Sequence, residues 1–121
     1  MPRRLFSWSR TAEYYREQGY RVAKTEYTAR GKSHDLMGFI DGIAFGVGHT
    51  IYLQACGKDW QPHVEKITGP CAADAVRVLM AGNRIILIGW RKLKVPIGKA
   101  GRKQERWKPR LYEFTLADFD S

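Results

Sequence analysis

Asp35-Leu36-Met37-Gly38-Phe39-Ile40-Asp41-Gly42-Ile43-Ala44 decides the fold, and after a turn at Gly46-Val47-Gly48 it is answered by Ile51-Tyr52-Leu53-Gln54-Ala55-Cys56. Both are apolar runs bounded by turn residues, so they read as adjacent strands, Leu36 to Phe45 and Thr50 to Cys56, joined as a hairpin. Asp41 and Gln54 stand where a purely structural strand would carry Val or Ile. A carboxylate inside such a run is costly to bury without a partner. A carboxylate on one strand, beside an amide oxygen and a backbone carbonyl on the next, forms an oxygen donor set of the kind Mg²⁺ prefers. Asp41, Gln54 and the Ala55 carbonyl are therefore candidate ligands for Mg²⁺ or Mn²⁺.

Upstream, Arg10 to Gln18 reads as a helix closed by Gly19, Tyr20 to Tyr27 as a strand, and the basic stretch Thr28 to His34 as a loop. Downstream, Lys58 to Ile67 reads as a short helix with Asp59 as N-cap and Pro62 in its first turn. Gly69-Pro70 punctuates the chain before a second helix, Cys71 to Ala81, closed by Gly82-Asn83. Arg84-Ile-Ile-Leu-Ile-Gly-Trp90 is almost continuously apolar and suits a strand buried on both faces. The expected α/β domain has a mixed central sheet flanked by helices, with its core over about 10–90. A basic hairpin and last strand follow over 91–116.

The 121 residues, 44% of them hydrophobic, suit one domain with one core. The net charge of +9, from 21 Lys and Arg against 12 Asp and Glu, favours a polyanionic partner, nucleic acid first and DNA within that. From Arg91 to Arg110, Arg91, Lys92, Lys94, Lys99, Arg102, Lys103, Arg106, Lys108 and Arg110 are opposed only by Glu105. Such a segment repels itself unless it meets a polyanion, and Trp107 within it can stack on an unpaired base. Arg30, Lys32, Ser33 and His34 form a second phosphate-contact candidate. No apolar run approaches the roughly 20 residues that span a bilayer, and Met1 to Trp8 lacks the apolar segment of a secretory signal. An intracellular, cytoplasmic protein without a membrane partner is expected. Cys56 and Cys71 have neither a zinc spacing nor the partners for a disulfide framework and read as buried hydrophobes, while His49 and His63 read as structural.

The element order, with Ile40-Asp41 and Gln54-Ala55-Cys56, resembles the PD-(D/E)XK nuclease superfamily, whose restriction-endonuclease-like core runs αβββαβ. Ile40-Asp41 stands at that family's Pro-Asp pair, and Gln54-Ala55-Cys56 at its Glu-x-Lys. Among small members the chain is most similar to archaeal-type Holliday junction resolvases and phage-borne relatives, over roughly Thr11 to Trp90. The resemblance implies a metal-dependent DNA endonuclease acting as a homodimer, with Asp41 and Gln54 catalytic and Glu13 as a helical acid. The sequence departs from the motif in two places. Gln54 has lost the charge of a glutamate and Cys56 supplies no cation. Asp35 is the compensating acid, although in a regular strand it stands about 20 Å from Asp41 and only a bend at Gly38 would bring the two together. Lys58 and Lys66 are the candidate replacements for the lysine. The alternative is a catalytically degenerate nucleic-acid-binding module on the same fold. A third reading, a basic structural protein of a particle or ribosome, predicts no pocket around Asp41.

Overall fold

The computed structural model describes residues 7–98 and 101–119, with Ser33 described for its backbone alone. Three α-helices and a five-stranded mixed sheet make up an α/β architecture. Helix α1 (Ser7–Glu17) leads into β1 (Arg21–Lys24), the small hairpin β2 (Tyr27–Ala29) and β3 (Lys32–His34), and then β4 (Gly42–Phe45) and β5 (Thr50–Cys56). Helices α2 (Trp60–Thr68) and α3 (Ala72–Met80) cross over to β6 (Arg84–Ile97), which pairs with β7 (Arg102–Phe114) ahead of a 3₁₀ turn at Leu116–Phe119. The main sheet has the order β1-β4-β5-β6-β7, antiparallel throughout except for the parallel pair β5 and β6.

Alternation along the inner strands divides the core in two. Leu53, Ala55, Ile86, Ile88 and Trp90 pack with Tyr15 of α1 on one face. Cys56, Ile85, Leu87 and Phe114 pack with Ile67, Ala75 and Val78 of α2 and α3 on the other. Trp90 donates its indole N–H to Thr11 Oγ1 at 2.9 Å, which satisfies two polar groups buried beneath α1. Helices thus cover both faces, as the buried run at β6 requires. Among the described residues, no helix is long and apolar enough to cross a membrane.

Four expected elements differ. The strand over Tyr20–Tyr27 is only Arg21–Lys24, because the N–H groups of Thr25 and Glu26 turn to the Asp41 carbonyl and Tyr27 opens β2. The strand over Leu36–Phe45 is only Gly42–Phe45, because Met37 (φ 54°) and Gly38 (φ 81°) reverse the chain and Leu36 and Ile40 exchange backbone hydrogen bonds of 3.0 and 2.9 Å. Phe39 and Ile40 remain fully buried, so their apolar signal came from the core and not from a strand. The loop over Thr28–His34 contains the β2–β3 hairpin, turned at Arg30-Gly31. The basic hairpin and the separate last strand are one continuous ladder from Ile85↔Phe114 to Ile97↔Arg102.

Candidate metal and nucleic-acid site

Asp41 sits at the junction between the Met37-Gly38 reversal and β4. Its N–H donates to the Leu53 carbonyl at 2.8 Å, which fixes it beside the C-terminal half of β5. Its carbonyl accepts from the N–H groups of Thr25 at 2.9 Å and Glu26 at 3.2 Å, which ties down the chain leaving β1. Those local bonds gather acids from three separate segments. Carboxylate oxygens of Glu26, Asp35 and Asp41 all lie within 4.8 Å of one another. The bend at Gly38 therefore brings Asp35 to Asp41, in place of the long separation of a regular strand.

The Asp41 side chain is buried, with the residue 7% exposed, and its Oδ2 accepts from Gln54 Nε2 and the Ala55 N–H, both at 2.7 Å. Burial pushes the Asp41 carboxyl up to about 8, helped by a hydrogen bond with Asp35 and opposed by the Ala55 N–H. The neighbouring charges of Asp35 and Glu26 push in the same direction. Three acids held this close repel one another unless a proton or a cation intervenes. The group lines a cleft of about 550 Å³ with Ser7, Trp8 and Ser9 at the start of α1, Lys24, Gln54, Ala55 and His63. A pocket around Asp41 is what the particle-protein reading did not predict.

The expected ligands are partly rearranged. Gln54 turns its amide nitrogen, not its oxygen, toward Asp41, and its buried Oε1 has no hydrogen-bond partner among the described residues. The Ala55 carbonyl takes a long 3.4 Å contact from the same amide nitrogen. The three carboxylates are themselves a hard oxygen donor set, which fits Mg²⁺ or Mn²⁺, and Gln54 would add its oxygen only by exchanging the two ends of its amide. Lys66 reaches the group, with its ammonium 3.7 Å from Asp35 Oδ2. Lys58 does not line this cleft; it faces a separate hollow of about 210 Å³ with Gly57, Trp60, Gly89, Arg91 and Arg110. Glu13 is likewise elsewhere, on the exposed face of α1 beside Arg10, Tyr14, Glu17, Trp90 and Trp107. Cys56 is buried at the end of β5, and burial, with the charges of Asp59 and Asp41, raises its thiol to about 11. The sequence reading missed Glu26, because tertiary bonds from the Thr25 and Glu26 N–H groups to the Asp41 carbonyl, not any local pattern, bring it into place.

Beyond the Cys56↔Gly89 pair, β6 continues with β7 as a two-stranded arm. It leaves the sheet at the end where Gln54, Ala55 and Asp41 lie. Over the seven residues from Arg91 to Ile97 the arm extends roughly 20 Å. Its register and the strand alternation place Arg91, Arg102, Arg106, Lys108 and Arg110 on one face without an acid. Lys92, Lys94, Lys103, Trp107 and Glu105 share the other. Two arginines stack on tryptophans that bracket the arm: Arg10 lies 3.8 Å from the Trp107 ring centroid, and Arg110 lies 4.1 Å from that of Trp60. Arg30, Lys32 and His34 are exposed on the β2–β3 hairpin, where His34 stacks on Tyr27 at 5.2 Å. Lys99 and the Ser33 side chain lie outside the described residues.

Comparison with protein-family models, with curated proteins and with solved structures gives no match.

Proposed function

We propose that the chain is a metal-dependent phosphodiesterase acting on DNA, with the Glu26, Asp35 and Asp41 group as its metal centre. The observation that carries this reading is the convergence of those three carboxylates, within 4.8 Å, in an open cleft. The sheet order also supports it, since β1, β4, β5 and β6 follow the strand sequence of the restriction-endonuclease-like core that the chain resembles. A bound Mg²⁺ or Mn²⁺ supplies a water of lowered pKa and neutralises charge developing on a phosphoryl oxygen. Asp41 would hold the ion, positioned through Oδ2 by Gln54 and Ala55. Asp35 and Glu26 would complete the carboxylate set, and Lys66, already beside Asp35, would supply the positive charge that Cys56 cannot. The arm would carry the nucleic-acid backbone toward the cleft by phosphate contacts, which position without reading sequence. Cutting both strands of a duplex or junction takes two such centres, and hence a homodimer.

One observation favours the alternative of a binding module. Gln54 spends its amide on Asp41, and the thiol at Cys56 is neutral, so the motif supplies one charge where the family supplies three. Incubating the protein with labelled duplex, branched and single-stranded DNA, with Mg²⁺, Mn²⁺ or EDTA, separates the two. Cleavage that needs metal and disappears in Asp41→Ala is the expected result. DNA that is shifted but uncut in every lane establishes the binding module and ends the nuclease reading.

A further inference from the structure

A second group of donors lies outside the carboxylate centre. Cys56 ends β5, the chain turns through Gly57-Lys58, Asp59 is the N-cap of α2, and His63 follows one turn into that helix. The Cys56 Sγ, a carboxylate oxygen of Asp59 and a ring nitrogen of His63 all lie within 4.8 Å of one another. We propose that these three residues form a second metal site, selective for Zn²⁺ over Mg²⁺.

The chemistry of the donors points that way. One sulfur, one imidazole nitrogen and one carboxylate oxygen make a borderline-soft set suited to Zn²⁺, whereas the all-oxygen group at Asp41 suits a hard ion. Asp59 occupies the N-cap but makes no side-chain capping bond. Its carboxylate instead lies 3.4 Å from His63 Nδ1. The same ring nitrogen is 2.7 Å from the Asp59 carbonyl oxygen, the kind of outer contact that orients a metal-binding imidazole. With its proton on Nδ1, the ring keeps the Nε2 lone pair for a ligand. Gly89, the residue in register with Cys56 on the parallel strand, makes room for the Trp60 ring. A Cβ there would lie 3.4 Å from the sulfur and 2.7 Å from the Trp60 ring. Three protein ligands leave the fourth position of a tetrahedral ion open to water or to a ligand anion. His63 also lines the carboxylate cleft, so the two sites share a wall.

Cobalt(II) reports on such a site directly, because a thiolate ligand gives it an intense sulfur-to-metal charge-transfer absorption. The whole chain, stripped with EDTA and exchanged into metal-free buffer, is titrated with Co²⁺. The absorption should saturate near one equivalent, be abolished by Zn²⁺ and survive a large excess of Mg²⁺. Cys56→Ser should remove the band and His63→Gln should raise the Co²⁺ concentration that half-saturates it at least tenfold, while Cys71→Ser and Asp41→Asn leave it unchanged. Asp41→Asn separates the site from the carboxylate centre, and His63→Gln, at a half-buried position, serves if Cys56→Ser does not fold. Absence of the band in the parent chain overturns the proposal. So does an unchanged Co²⁺ affinity in His63→Gln, persistence of the band in Cys56→Ser, or its disappearance in Cys71→Ser.

Discussion

Replacing Asp41 by Asn should make the metal-free protein more stable at pH 8, a result opposite to that expected for most acids that accept hydrogen bonds. The carboxyl is raised from 3.8 to about 8, chiefly by burial, so the folded chain binds this proton more tightly than the unfolded one. The stabilisation from that proton is complete below about pH 4 and is lost as pH rises through 8. At about 1.4 kcal/mol per pH unit, the full span corresponds to a charging penalty of roughly 6 kcal/mol, and sharing of the proton with Asp35 lowers what one substitution recovers to about 2–3 kcal/mol. Asn keeps an oxygen to accept from Gln54 Nε2 and the Ala55 N–H, so the local bonds survive. Urea unfolding in EDTA at pH 5 and pH 8 measures the effect. The two proteins should be close in stability at pH 5, and the variant should lead at pH 8. Mn²⁺ should then stabilise the parent protein at pH 8 and leave the variant unmoved. Equal pH dependence in parent and variant would refute the assignment of a protonated, mutually repelling acid cluster at this position.

Gly42→Ala should cost about 1–3 kcal/mol by overpacking, since its new Cβ would run into the Trp8 ring and push α1 away from the cleft. Combined with Trp8→Ala it should add nothing beyond the cost of Trp8→Ala alone, as read from urea midpoints of the two variants. Substituting Arg102, Lys103 and Arg106 together by Ala should reduce the slope of log K against log salt by about 0.9 for each phosphate that the arm no longer neutralises, measured by DNA-binding titrations in EDTA. An unchanged slope would put the DNA elsewhere than on the arm.

Legibility in the sequence followed the physics of burial. Strand β5 was readable to its ends, because Thr50 to Cys56 is an apolar run set between turn residues, and two interior helices announced themselves through Asp59, Pro62 and Gly82. The arm was readable as charge and as a hairpin, but not as one continuous ladder with the last strand. Its residues face solvent on both sides, so no core imposes alternation, and only the register with β6 keeps β7 extended. The stretch from Asp35 to Asp41 misled in the opposite direction. Phe39 and Ile40 are apolar because they are buried; a bend at Gly38 was legible as the way to bring Asp35 to Asp41, whereas the positive φ of Met37, a non-glycine residue, was not. The Cys56-x-x-Asp59-x-x-x-His63 group had no recognisable spacing, because a strand end and a helix start bring it together.

The long outer edge of the sheet bears on how this chain behaves at high concentration. β7 is the terminal strand of the sheet order, and its thirteen residues leave one row of backbone donors and acceptors without a neighbouring strand among the described residues. Such an edge is an open template for another copy. Here the strand carries Arg102, Lys103, Arg106, Lys108 and Arg110, with Pro109 removing one donor. Two copies approaching edge to edge must therefore bring like charges together. That protection is electrostatic and is screened within about 10 Å at 0.1 M salt. Solubility should thus be greatest in dilute buffer and decline where salt or a bound polyanion cancels the charge.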